Sequence, residues 1–133
     1  MQNKILEIEY RKIESLSAYA NNTRTHSDGQ VAQVAASIRE FGFTNPILIK
    51  GDGEIIAGHG RLMAAQSVGL ESLPCIVLDH LTEDQARALV IADNQLALNA
   101  GWDDELLSAE LSALDGAGFD VGLMGFSSAD LEE

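Results

Sequence analysis

The run Gly53-Glu-Ile-Ile-Ala-Gly-His-Gly-Arg-Leu-Met-Ala-Ala65 sets a strand-forming segment (Ile55, Ile56, Ala57) directly before Gly58-His59-Gly60-Arg61 and a helix-forming stretch. A strand, a glycine turn and a helix start form an anion cradle. Glycine lets backbone approach the ligand, and the first helical N–H groups present the positive end of the helix dipole. With the helix beginning at Arg61, its guanidinium adds a planar fork suited to phosphate, and a charge-assisted hydrogen bond from it contributes about 1.5–3 kcal/mol. His59, at the mouth of the turn, can act as a general acid–base or as a simple donor. The plain alternative is a tight strand-to-helix turn with Arg61 on the surface.

A second polar pair is Asp93-Asn94, followed by Gln95, late in an alanine- and leucine-rich helical stretch where Asp and Asn are poor interior residues. A carboxylate beside a carboxamide can hold a hydrated magnesium ion and the phosphates attached to it. The alternative is an exposed polar helix end in which Asn94 satisfies nearby carbonyls. Arg24 stands in a polar loop, where ligand-binding groups are common. The histidines, His26, His59 and His80, have no zinc-ligand spacing. Trp102 is expected to bury its ring beneath the acidic helix that follows it.

Local signals supply the elements that hold these residues. Alternation over Ile5–Tyr10 suggests a strand. Ser27 or Asp28 caps a helix to about Phe41, with Val31, Val34, Ala35, Ile38 and Phe41 on one face and Gly42 at its end. Pro46–Lys50 and Glu54–Ala57 form a hairpin closed by Asp52-Gly53. A helix from Arg61 ends near Gly69, and Pro74–Leu78 is a strand with Cys75 buried in it. Thr82 and Gln85 have capping-box spacing, opening a helix to about Leu98 with Ala86, Leu89, Val90 and Asp93 along one side. A further helix, about Asp103 to Leu114, turns Leu106, Leu107, Leu111 and Leu114 inward, and Ser127-Ser128 caps a last turn. The fold class is α+β, a small mixed sheet with flanking helices and a helical, acidic C-terminal section.

The chain has 133 residues, and its net charge of −13 is unevenly spread: residues 1–78 hold 8 acids and 7 Lys/Arg, residues 79–133 hold 13 acids and Arg87 alone. So acidic a surface repels a phosphate backbone, so DNA contact by this chain is expected to be weak. The acidic half keeps the domain soluble or faces a basic partner. One cysteine, no apolar run of membrane-spanning length and no signal-peptide core point to the cytoplasm and away from a membrane.

Three ordered motifs resemble the ParB/sulfiredoxin-like superfamily over about Ile5 to Asn99. Val34-Ala-Ala-Ser-Ile-Arg-Glu-Phe-Gly-Phe-Thr-Asn-Pro-Ile-Leu-Ile49 is similar to the helix, glycine and strand that open the ParB N-terminal domain. The 53–65 run is similar to its "I-I-A-G-E-R-R" signature, and Leu81–Asn94 to its helix ending in "I-E-N". The resemblance implies a nucleoside triphosphate (CTP or ATP) with Mg2+. It puts Gly58, His59, Gly60, Arg61 and Arg24 on the phosphates, and Asp93 and Asn94 at the metal, with His59 and Asp93 as the catalytic candidates. His59-Gly60 replaces the family's Glu-Arg, and Asp93 its glutamate. The sulfiredoxin branch carries a catalytic cysteine where His59 stands, which argues against peroxiredoxin repair, whereas kinases of the superfamily carry histidine in this turn.

The expected division is a ParB-like domain over 1–100 and a helical extension over 101–133, with no helix-turn-helix evident. The later motifs, including Gly101-Trp-Asp103, look like the phage and prophage variant that precedes DNA-modification methyltransferases. The implied function is a nucleotide-binding regulatory or recognition module of a DNA-modifying or DNA-partitioning protein, with a methyltransferase domain or another protein as partner. A phosphotransferase or weak NTPase, and an interaction module with a vestigial turn, are the alternatives. Nothing resembles the carboxylate cluster of a two-metal nuclease.

Overall fold

The computed structural model describes residues 5–18 and 27–126. Four strands, β1 (Ile8–Lys12), β2 (Ile47–Ile49), β3 (Ile55–Ala57) and β4 (Ser72–Val77), form one mixed sheet in the order β1-β4-β2-β3. β1 runs antiparallel to β4, β4 parallel to β2, and β2 antiparallel to β3. Among the described residues four α-helices accompany it: α1 (Asp28–Phe41), α2 (His59–Val68), α3 (Glu83–Asn99) and α4 (Asp104–Gly116).

Side chains alternate across the sheet as strand geometry requires, so its two faces carry separate cores. Ile47, Ile49, Ile55, Leu73 and Cys75 pack with Leu62 and Ala65 of α2. Ile56 and Leu78 pack with Ala86 and Val90 of α3 on the other face. Adjacent Ile55 and Ile56 thus bind the sheet to two different helices. The β2–β3 hairpin closes through Gly53 N–H to Lys50 carbonyl (2.9 Å) and Glu54 N–H to the Asp52 carboxylate (2.9 Å). Gly53 has φ +91°, and a Cβ there would collide with the Ser15 carbonyl oxygen, so the turn requires glycine.

Helix ends follow the caps written in the chain. Ser27 accepts from Gln30 N–H at 3.1 Å. Thr82 and Gln85 make both bonds of the capping box, at 2.9 and 3.1 Å. Asp103 caps α4 through Leu106 N–H.

Three expectations need correction. α2 begins at His59, two residues before Arg61, because Gly58 in the left-handed region (φ +113°) serves as its N-cap. Trp102 is 68 % exposed rather than buried, its ring tilted against Phe126 at 5.7 Å. The α4 leucines enter no core: Leu106 is 67 % exposed, and no residue of that helix is buried. No sheet surface remains for α4 to cover, since α2 and α3 already occupy the two faces. Arg24, His26 and the expected Ser127-Ser128 cap lie outside the described residues.

Candidate functional site

The site forms where β3 ends. Ala57 leaves the sheet, Gly58 reverses the backbone, and α2 starts at once. A Cβ on Gly58 would lie 3.0 Å from Ile47 Cγ1 and 3.2 Å from Arg61 Nη2, so the turn is pressed against the β2 strand and the arginine. Of the four α-helices, α1, α3 and α4 have a side chain capping their first amides, and α2 has none. A helix N-terminus whose cap residue bears no side chain leaves its dipole and amides available to an anion.

These residues line one open cleft of about 260 Å³. Gly58, His59, Gly60 and Arg61 form one side, and Asp93 and Asn94 of α3 another. α3 packs along β3, and that placement carries the polar pair to the end of the strand from which the turn springs. The third side comes from α1, which packs on α2 and contributes Gln30, Val31 and Val34. Sequence reasoning assigned Val31 and Val34 to a core face and gave Gln30 no role. Ala97 is a further lining residue without a sequence signal. The cleft therefore has a polar end beside the turn and an apolar wall along α1.

Arg61 is the most constrained member. Its Nη2 donates to the Pro46 carbonyl at 2.9 Å, tying the guanidinium to the segment entering β2. Its Nε is buried and finds no hydrogen-bond partner among the described residues. A buried donor on a charged group without an acceptor is costly, and such a group is commonly met where an anion binds. Burial pushes the Arg61 pKa down while the Asp93 carboxylate opposes that shift. Guanidinium stays protonated at neutral pH under such shifts, so the cleft holds a fixed positive charge facing a carboxylate.

Asn94 donates from Nδ2 to the Val90 carbonyl at 2.8 Å, one turn back along α3. That bond fits the expectation that Asn94 satisfies a nearby carbonyl, and it fixes the carboxamide plane at the cleft wall. Among the described residues no group of three or more His, Cys, Asp or Glu is placed to hold a metal ion. A divalent ion here would thus draw on Asp93 and Asn94 and take its remaining oxygens from phosphate and water, the habit of magnesium. Among the described residues no helix is long and apolar enough to cross a membrane.

Comparison with known proteins yields two matching family models, the ParB N-terminal domain over residues 1–95 and the ParB-methyltransferase HTH domain over residues 105–133. The second overturns the expectation that no helix-turn-helix is evident: all of α4 but its first residue, and the 3-10 turn Val121–Met124, fall within the matched stretch. Its residues are mostly acidic or apolar, so the usual basic signature is missing. The chain is similar to the ParB-like nuclease domain-containing protein YnaK of Escherichia coli, 58% identical over 80 residues, covering 60% of this chain and 92% of that protein. It is 38% identical over 86 residues to the chromosome-partitioning protein ParB of Myxococcus xanthus, covering 62% of this chain and 29% of that protein. This chain spans less than a third of the partitioning proteins it matches. Among solved structures, the C-terminally truncated ParB of Caulobacter crescentus complexed with CTP-gamma-S superposes with a TM-score of 0.76 at 23% identity, covering 94% of this chain and 74% of that one. Sulfiredoxin of Arabidopsis thaliana superposes with a TM-score of 0.52 at 26% identity, covering 63% of this chain and 97% of that one. The α+β expectation and the superfamily resemblance are both borne out.

Proposed function

Because this chain belongs to the ParB N-terminal domain family, we propose that its cleft binds the phosphates of a nucleoside triphosphate. The observation that supports this most directly is the meeting of the side-chain-free N-cap of α2 with the buried, partnerless Arg61 Nε in one cleft. Gly58, His59 and Gly60 bring backbone to the phosphate chain, and Arg61 brings charge that its bond to Pro46 has already oriented. Asp93 and Asn94 are the residues to hold magnesium, which would neutralise phosphate charge beside the Asp93 carboxylate. The nucleotide bound by the Caulobacter neighbour makes CTP the first candidate. His59, in the same cleft, is the group to exchange a proton if the phosphate chain is cut.

Residues 1–100 are the nucleotide-binding part in this reading, and 101–133 an extension carrying the helix-turn-helix likeness. The whole serves a DNA-modifying or DNA-partitioning protein as a regulatory module.

Calorimetric titration with CTP, ATP and GTP, with and without magnesium, tests the reading. One nucleotide is expected to bind in a magnesium-dependent manner, at least tenfold more weakly in Arg61→Ala. Absence of binding up to millimolar concentration, with the fold intact by circular dichroism, refutes it. Hydrolysis lost in His59→Ala with binding retained would assign the proton transfer.

A further inference from the structure

A second concavity, about 520 Å³, lies apart from the nucleotide cleft on α4 and the turn after it. Trp102, Leu106, Leu107, Leu111, Met124 and Phe126 give it an apolar floor and walls. Trp102 and Leu106 stand at its lip, each about two-thirds exposed, and Trp102 is braced against Phe126. Aromatic and long aliphatic side chains gathered in one groove have the composition of a helix-docking surface.

The rim is acidic. Asp103 and Glu110 line the groove itself, and Asp104, Glu105 and Asp115 are exposed on the same helix. Apart from Trp102 and Asp103, the residues of the groove fall in the part of the chain that matches a helix-turn-helix model, yet residues 105–133 contain seven acids and no Lys or Arg. DNA-binding segments gain their affinity by neutralising phosphates with Lys and Arg. A segment with none, set in a surrounding of charge −12 over residues 79–133, repels a duplex.

We propose that this groove docks a basic amphipathic helix of a partner protein. Apolar residues on one face of the partner helix, spaced three and four apart, enter between Trp102 and Leu111. Lys and Arg on the flanks of that face meet Asp103, Glu110 and their acidic neighbours. The acids steer and select the partner, while the apolar floor supplies the contact area.

Trp102 is the sole tryptophan of the chain, so its fluorescence reports on the groove directly. The probe is a synthetic amphipathic helix of roughly four turns with leucines at helical spacing, made in two forms whose flanks are lysine or glutamate. The full chain is titrated with each at low and at physiological salt. The lysine form is expected to shift Trp102 emission and to bind at least tenfold more tightly than the glutamate form. That difference should shrink as salt screens the rim. Leu106→Glu, a surface substitution, should abolish binding with circular dichroism unchanged, and Ile8→Glu, a surface apolar residue on β1, should have no effect. Equal binding of both peptides, or of neither, overturns the proposal. So does binding that appears only after residues 127–133 are deleted, which would make the chain's own end the occupant. Concentration-dependent dimerisation abolished by Leu106→Glu would assign the groove to a second copy, and duplex DNA binding with the same sensitivity would assign it to nucleic acid. Either result overturns it.

Discussion

Gly58 and Arg61 act on each other before any ligand arrives. The glycine's φ of +113° is a region that other residues enter at a cost of about 1–3 kcal/mol, and a Cβ would press on Ile47 and on the guanidinium. Gly58→Ala is therefore expected to lower stability by that amount in urea denaturation. It should also weaken nucleotide binding beyond the stability loss, because Arg61 Nη2 is displaced. Arg61→Ala removes the bond to Pro46 as well as the charge, so it should destabilise by about 1–3 kcal/mol. Arg61→Lys keeps the charge but not the planar fork. Calorimetry should place its affinity between wild type and Ala. The placement of these two residues at one strand-to-helix turn was legible in the sequence, because a strand-forming run, a glycine and a helix-forming run follow one another directly. Gln30 and the Pro46 carbonyl were not legible. One is an ordinary polar residue in a helix's first turn, the other a backbone atom, and only tertiary packing brings either to the cleft or its arginine. Cys75 is a simpler case. Burial pushes its thiol pKa up, so the folded chain retains a proton that the unfolded chain loses in mild alkali. Stability is then expected to fall as pH rises past about 8.5. Thiol-reactive dyes should label Cys75 only on unfolding, and rapid native-state labelling would contradict its burial.

The elements differ in how completely local signals define them. α3 is the clearest, with a capping box, an apolar face and an inward Ala86 and Val90 all in agreement. Thr82→Ala removes the acceptor for Gln85 N–H and should cost about 1 kcal/mol in thermal or chemical denaturation. Its effect should reach the cleft, because α3 carries Asp93 and Asn94. Nucleotide affinity is expected to drop modestly with magnesium present. The start of α2 was not legible to the residue, because the glycine pair hides it: Gly60 lies inside the first turn, while Gly58 alone takes the left-handed conformation. The inwardness of α4 was misread for a different reason. Its leucines recur at helical spacing, and spacing fixes a face without saying what covers that face. Both sheet faces were already taken by α2 and α3.

Across the molecule, charge and packing divide at nearly the same place. The buried residues of the two cores lie within 47–90, whereas α4 and the Val121–Met124 turn bury no residue, and α4 carries four acids and no Lys or Arg. Phe41, at the end of α1, stacks on Phe119 with ring centroids 5.9 Å apart and planes inclined by 19°. α1 thus touches the cleft at Val31 and Val34 and the C-terminal segment at Phe41. An attachment resting on few buried contacts opens at lower free energy than the core it is attached to. Aromatic pairs contribute about 0.5–1.5 kcal/mol beyond their buried area. Phe119→Ala is accordingly expected to raise hydrogen exchange of amides within 104–124 by up to roughly tenfold, since 1.4 kcal/mol corresponds to one decade. The amides of β2 and β4 should keep their protection. If they accelerate equally, sheet and C-terminal segment open as one cooperative unit, and the segment is as firmly held as the core. Protection lost in 104–124 alone would show that helix-turn-helix-like segment opening independently of the domain that carries the cleft.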